Sequence, residues 1–566
     1  MADVAETRCQ NSHLASLAHD YFQFFLATRP LFAASMGLPS QDELVGDPSR
    51  EAERVEAAAL QRFEDQLCRI EPSGLDSRDR ITRSILALRL RHERDALLAG
   101  LDEVSISASA EGDLSMILMT MPQAPLTDAA DAVRYLDRLA ALGGYFDALR
   151  RRYLQAKADG RYPTASGIGQ AVEQLDGYLA GDLRSDPLLR PRLPHGIAKD
   201  QWRAQAEQII VDVVRPALAK LRTTWVEQLL PVSRDGDHVG LSNVPGGVKG
   251  YEALARLYTT TDLSADEIHR IGLKEVERLR EEVCSRGAEA LAISGVVTVL
   301  RRLRDDPGLR FRSADQILRH VTDAYRRATN ALPHWFRSYP ASECGIHPME
   351  VGQVRTGSSG YYVWPSVDGS RQGAFWVNTH EPRQRSRLSY EVLTFHETVP
   401  GHHLQASASA DADLPDFRRY WRSSAHAEGW GLYVERLAED MDLYSSALTR
   451  LGMAAEAMLR ACRLVVDTGL HHQGWPRRQA IRYLLENTAQ PEMIVRSEVD
   501  RCVAMPAQAL GHTIGQIRIE ELRTQAKRWL GARFQIAEFH HRLIAEGSVP
   551  IDVLGDVIAD WVAAAR

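Results

Sequence analysis

Along most of the chain, apolar residues recur every three or four positions, the spacing of helices that bury one face. The clearest runs cover residues 51–69, 129–157, 199–230, 264–290 and 444–468 and are rich in Ala, Leu, Arg and Glu. Two run starts, Ser264-Ala265-Asp266-Glu267 and Ser313-Ala314-Asp315-Gln316, have the spacing of a capping box, in which the first and fourth residues satisfy each other's free N–H groups. Alternation with period two is confined to Tyr361-Tyr362-Val363-Trp364 and residues 373–379, on either side of a Pro/Asp/Gly/Ser turn. The pattern predicts a mainly α fold with one small β-ribbon. Residues 185–196, rich in proline, and 233–250, rich in glycine and charge, punctuate it without the low complexity of a disordered tether. One continuous helical body is expected, with an N-terminal lobe of about residues 1–250 and a second lobe of about 251–566.

Composition narrows the function classes. The 566 residues are 44% hydrophobic and 25% charged, ordinary for a globular protein with a large core. A net charge of −7, with no basic stripe interleaved with aromatics, argues against nucleic-acid binding. No apolar run reaches the roughly 18 residues of a membrane span, and Met1 to Arg8 form neither a basic start nor an apolar leader segment. A soluble cytoplasmic protein with no membrane partner is the expectation. Six scattered cysteines (Cys9, Cys68, Cys284, Cys344, Cys462, Cys502) form no C-x-x-C pair and are expected as free thiols. No phosphate-loop motif occurs, and Ser358-Ser359-Gly360 lacks the serine-hydrolase frame.

Candidate chemistry concentrates in His396-Glu397-Thr398-Val399-Pro400-Gly401-His402-His403. It resembles the zinc motif H-E-x-x-H with two residues inserted. In a regular helix His402 would lie about 120° away from the face of His396, and His403 roughly 10 Å along the axis. Neither could share an ion with His396. Pro400 lacks an N–H and disfavours helical geometry at Val399, so a break is expected there, with Gly401 tolerating the detour. His402 is then the expected second ligand and His403 the alternative. Glu397, beside the first ligand, is placed to take a proton from a metal-bound water. The third ligand is sought on a second helix, where Glu428 is the best candidate and His426 the spare. Glu435, seven residues past Glu428, could orient a ligand histidine. Two histidines and a carboxylate favour zinc.

These residues resemble a bacterial family catalogued as domain of unknown function 885. Its H-E-x-x-P-G-H-x-x-Q pattern matches His396 to Gln405, and its E-G-W-x-x-Y-x-E pattern matches Glu428 to Glu435. The likeness extends to Asp368-Gly369-Ser370, residues 263–276 and 373–379, Asp467-Thr468-Gly469-Leu470-His471, Gly474-Trp475, Glu498-Val499-Asp500-Arg501 and the region 506–515. The family is similar to helical zincins of the carboxypeptidase Taq group, and dipeptidyl peptidase III resembles it in carrying an insertion within its zinc helix. The resemblance implies a two-lobed helical metallopeptidase fold with a deep groove, zinc on His396, His402 and Glu428, and Glu397 as the base. One departure stands out. The family's P-G-Q-A-x-x-Y reads Pro506-Ala507-Gln508-Ala509-Leu510-Gly511-His512, so Ala507 replaces a glycine and His512 a tyrosine.

A tetrahedral oxyanion needs a hydrogen-bond donor; His471, His512, His472 and Tyr433 are candidates, His471 favoured by the family likeness. Strand 373–379 could pair with an extended peptide, bringing Asn378 and Tyr433 to the substrate. Arg523 could hold a terminal carboxylate, although an ordinary ion pair is the plainer expectation. The expected function is zinc-dependent hydrolysis of a peptide or small amide. A metalloenzyme of another reaction class acting on a specialised small molecule, or a binding scaffold without turnover, are the competing expectations.

Overall fold

The computed structural model describes residues 11–36, 38, 45–108, 112–124, 126–339, 342–349, 359–366 and 371–565. Met1 to Arg8, Cys9, Ser358 and Asp368-Gly369-Ser370 lie outside them. The periodic stretches are helices: Arg50–Cys68, Ala129–Ala158, Ala265–Leu291 and Ala447–His471 lie within three residues of the expected bounds. The helical run from Lys199 widens twice to π geometry, at Ile210–Val214 and Trp225–Leu229. Pro216 has no N–H to give residue 212, which accounts for the first widening. At Ser264 the capping box is complete, its hydroxyl accepting from the Glu267 N–H and the Glu267 carboxylate from the Ser264 N–H. At Ser313 half of it forms, because the Gln316 side chain accepts from the Arg312 N–H instead.

The expected ribbon is present, with one addition. Strands β1 (Gly345–Pro348), β2 (Gly360–Val363) and β3 (Ala374–Val377) lie in the order β1-β3-β2. β2 runs antiparallel to β3 with Tyr361 opposite Trp376, and β1 runs parallel to it. β1 is invisible to period-two reading because Gly-Ile-His-Pro holds one β-branched residue and ends in proline. β3 is thus the central strand, paired on both sides, and its backbone has no edge left for the peptide expected to add at 373–379. The sheet's two edges are the outer sides of β1 and β2. Since the Asn378 N–H donates to the Ser359 carbonyl (3.0 Å), ladder alternation turns the N–H and C=O of Tyr362 away from β3.

Residues 106 to 229 gather around a core of their own that includes Leu139, Phe146, Ile168, Trp202 and Leu229. The earlier helices Ser12–Thr28 and Ser77–Ala99 share a core with Phe395, Trp430, Phe539 and Ile558 instead. The first hundred residues therefore pack with the C-terminal half, and a lobe boundary near residue 250 does not follow the cores. Among the described residues no single helix is long and apolar enough to cross a membrane. Cys68, Cys284, Cys344, Cys462 and Cys502 are free thiols.

Buried Asp467 ties three distant segments together, accepting from the Tyr251 hydroxyl (2.7 Å) and the Ala507 N–H (2.9 Å). Ala507 sits at φ +67°, in the left-handed region that favours glycine. Ala507→Gly should stabilise the protein by about 0.5–1 kcal/mol and raise the calorimetric midpoint by about 1–2 °C. An unchanged or lower midpoint would show that the buried methyl gains more from packing than the backbone loses.

Burial pushes the Asp467 carboxyl up to about 7, against the two hydrogen bonds. In the unfolded chain the same group ionises near the ordinary carboxylate value of about 3.9. Its contribution to stability is thus greatest below that pH, falls as pH rises towards 7, and is flat beyond. Asp467→Asn should remove this slope, gaining on the wild type by on the order of 2 kcal/mol between pH 4 and 7 in paired thermal melts. A gain in the opposite direction would mean that Asp467 is ionised in the folded protein.

Candidate metal centre

Helix Arg387–Glu397 delivers His396 and Glu397 in its last turn. It is anchored by buried Glu391, which pairs with Arg327, by the Tyr390 hydroxyl donating to the Asn378 carbonyl (2.6 Å), and by Ser389 donating to Glu456 (2.6 Å). The helix stops there, and the next one, His402–Asp411, begins two residues beyond Pro400. The Val399–Pro400 peptide is cis. The Trp430 indole N–H donates to the carbonyls of Pro400 (3.0 Å) and Gly401 (3.3 Å), so the groups freed by the break have a buried partner. Gly401 is required for close approach: a Cβ there would lie 1.9 Å from the His396 carbonyl oxygen. Its φ is −82°, so left-handed freedom is not what this glycine supplies. The detour brings the His396 and His402 rings to 4.7 Å between centroids at 88°.

Glu428, on helix Ser424–Asp440, places Oε2 at 3.6 Å from His396 Nε2 and 3.9 Å from His402 Nε2. One donor atom from each residue lies within 4.8 Å of the other two, a set that could hold a metal ion. Tetrahedral zinc with bonds of about 2.0–2.1 Å separates its ligand atoms by roughly 3.4 Å, so these donors fit after a small inward movement. Glu435 Oε1 accepts from His396 Nδ1–H (2.8 Å), which turns Nε2 toward the cluster. Gly431 makes the room, since a Cβ there would meet the His396 ring at 2.3 Å. Gly429 and Gly515 allow helix Ser424–Asp440 to press against helix Leu510–Leu530; a Cβ on Gly515 would stand 1.8 Å from the Ala425 carbonyl oxygen. That contact carries in His512, whose Nε2–H donates to Glu428 Oε2 (3.0 Å).

Burial lowers the His402 pKa to about 3 and keeps the ring neutral, as a ligand must be. Burial also opposes charge on His396, but the nearby Glu428 carboxylate and the hydrogen-bonded Glu435 outweigh that and lift it to about 10. Glu428 is held well below the usual carboxylate range: burial opposes ionisation, and His512 and His396 overcome it. Burial raises Glu397 to about 7, with the His396 charge and the nearby Tyr362 backbone N–H pulling the other way. Three acids thus converge on two imidazoles in a buried space, a charge balance that suits a divalent cation.

Other expected site residues lie elsewhere. His403 is latched by the Tyr362 hydroxyl on Nδ1 (2.9 Å) and donates from Nε2 to the Ser342 carbonyl (3.0 Å), so neither nitrogen is available as the alternative ligand. His471, fully buried, accepts from the Leu241 N–H and donates to the Cys502 carbonyl (2.9 Å); these bonds make it a strut of the helix end, not an oxyanion donor. Tyr433 is buried with its hydroxyl on His540 Nε2 (2.8 Å), and Asn378 is fully buried with its side-chain oxygen on the His380 N–H (3.1 Å), so neither can contact substrate. His512 reaches the site but directs its N–H at Glu428. His472 faces Asp266 (3.4 Å), the spare ligand His426 accepts from the Val549 N–H (2.9 Å), and Arg523 pairs with Asp440 (2.9 Å). Sequence reasoning missed Tyr362, which meets the site through both hydroxyl and backbone. Its signal was the alternation that marks β2, without any hint of which edge would be free.

No curated protein matches the chain. Among solved structures, one from Colwellia psychrerythraea, provisionally described as a lipoprotein, is 27% identical with a TM-score of 0.90, covering 98% of this chain and 100% of its own. Another, from Shewanella oneidensis and provisionally described as a lipoprotein of unknown function, is 16% identical with a TM-score of 0.74, covering 96% and 99%. A third, from Bacillus anthracis and provisionally described as an oligoendopeptidase F, covers 91% and 96% at 11% identity; its TM-score of 0.30 is too low to bear on this chain. The two lipoprotein descriptions overturn the expected cytoplasmic location. That expectation rested on the residues at the start of the sequence, which do not decide whether a protein is anchored. The model of the bacterial family of unknown function DUF885 matches residues 30–558, taking in every residue of the metal cluster, and the chain belongs to that family.

Proposed function

We propose that the protein is a zinc-dependent hydrolase of a peptide or small amide bond. The observation that carries this reading is the convergence of His396 Nε2, His402 Nε2 and Glu428 Oε2 beside a second buried carboxylate, Glu397, that is not part of the ligand set. Zinc, when bound, would polarise the scissile carbonyl and acidify a water molecule. His396, His402 and Glu428 would hold it, with Glu435 fixing the His396 tautomer and His512 fixing the Glu428 carboxylate. Glu397 would accept the water proton on its carboxylate and return it to the leaving amine. An extended substrate would lie along the outer edge of β2, where Tyr362 presents its C=O beside the N–H that faces Glu397. The lipoprotein descriptions of two similar structures make the cell envelope the setting we propose for this activity.

Glu397→Gln should retain one zinc per chain by elemental analysis and lose turnover by about 10³-fold or more on whichever peptides or small amides the wild type cleaves. Undiminished turnover would remove Glu397 from the mechanism, and a wild type that retains no zinc after loading and dialysis would remove the reading itself.

Gly431→Ala changes no ligand but drives a methyl into the His396 ring. Competition with a chromophoric chelator should show zinc affinity weakened by about 10–100-fold, the range typical of lost supporting contacts. Wild-type affinity in this variant would mean that His396 does not bind the ion from its observed position.

A further inference from the structure

Arg422 lies just before helix Ser424–Asp440, six residues ahead of Glu428. Its guanidinium carbon stands 3.4 Å from the centroid of the Trp364 ring, and that ring lies 6.3 Å from His402. Its charge helps to keep His402 neutral. Elsewhere the protein compensates its sheltered arginines. Arg418 pairs with Glu546 (2.6 Å), Arg460 with Glu456 (2.7 Å) and Arg463 with Glu498 (2.9 Å), while Arg234 donates to the carbonyls of Tyr162, His238, Val239 and Gly240. Among the described residues Arg422 makes neither an ion pair nor a hydrogen bond, and the groups that act on it electrostatically are Tyr362 and a second cation, Arg371. Arg371 donates to the Trp364 carbonyl (3.2 Å), adding positive charge to the same corner. Stacking on tryptophan offsets only part of the cost of sheltering a cation.

Position gives this corner a use. Trp364 directly continues β2 and lies two residues beyond Tyr362, whose hydroxyl bonds His403 (2.9 Å) and whose N–H lies near enough to Glu397 to act on its carboxyl. A strand advances roughly 3.3 Å per residue, so a substrate extended along β2 with its reacting bond at Glu397 has a group one or two residues away beside Trp364. Resting on the hydrolase reading above, we propose that Arg422, seated on Trp364, is an anion-binding subsite that receives a carboxylate borne by the substrate one or two residues from the bond that is cut. A planar guanidinium grips a carboxylate through two parallel N–H···O bonds. The carboxylate is either the C-terminus of a short peptide or an acidic side chain.

Three acetylated peptides separate these sources: a tri-alanine free acid, its C-terminal amide, and an Ala-Asp-Ala amide. Titration calorimetry on the metal-free full chain excludes both turnover and carboxylate–zinc contact. The free acid or the Asp peptide should bind at least about 10-fold more tightly than the tri-alanine amide. Arg422→Gln should bring that peptide down to the level of the amide, whose own binding moves less than about 2-fold, and Arg422→Lys should keep part of the preference. Tight binding of the free acid alone assigns the C-terminus, and of the Asp peptide alone the side chain. Equal or absent binding of all three peptides to the wild type, or a preference that persists in Arg422→Gln, overturns the proposal; if Arg422→Gln does not fold, the comparison is read from Arg422→Lys. Failure of the hydrolase reading looks different, since zinc retention or turnover is then missing while the carboxylate preference remains.

Discussion

The metal centre depends on an indole N–H finding the carbonyls that a broken helix leaves behind. A helix interrupted at Pro400 loses backbone hydrogen bonds in a fully buried place, and each unsatisfied group there costs about 1–3 kcal/mol. Trp430 supplies a donor to the Pro400 carbonyl, shared with the Gly401 carbonyl that also accepts from the Gln405 N–H, from the helix that also carries Glu428. The break and the third ligand are therefore one device. Between Glu428 and Glu435 the same helix contributes a ligand, a glycine for packing, the indole donor, a glycine that admits the His396 ring, and the carboxylate that orients it. A shift of this helix by one residue would disturb all five at once.

Glycine contacts set how much chemistry the core can hold. Imidazoles, carboxylates and a guanidinium are costly to shelter unless each has a partner at hydrogen-bond distance. The Gly429–Gly515 contact lets two backbones approach closely enough for His512 to reach Glu428, and the gap at Gly431 lets His396 sit between Glu428 and Glu435. The His512 imidazole turns its N–H to the Glu428 carboxylate and so supports the cluster.

Much of the fold and part of the site were legible in the sequence, for different reasons. The long helices follow from period and caps because their apolar stripes extend over many turns. The His396–His402 pairing follows from the impossibility of a regular helix and the presence of Pro400 and Gly401 where relief was needed. Glu435 was legible because seven residues separate it from Glu428 by two turns. Strand β1, the latched state of His403 and the structural roles of His471, Tyr433 and Asn378 were not legible. Each is decided by a partner distant in sequence: Ala374 for β1, Tyr362 and Ser342 for His403, Leu241 and Cys502 for His471, His540 for Tyr433. A histidine that will be a strut looks the same in one dimension as one that will be a donor.

The three-stranded sheet resolves a tension in that reading. The sequence offers two strands, and strand 373–379, flanked by family-like residues, is the natural choice for contact with substrate. β1, short and apolar in only one position, changes the outcome by occupying the far side of β3 and leaving β2 as the exposed edge nearest the metal ligands. Tyr362 then makes two contacts with different parts of one residue: its hydroxyl engages His403 Nδ1, and its backbone N–H faces Glu397. Trp364, two residues on, carries Arg422. The His403 contact, the approach to Glu397 and the stacked Arg422 guanidinium thus lie within three consecutive residues of a single strand end, so under the proposed hydrolase reading the sheet sets the direction of a substrate before any side-chain preference operates.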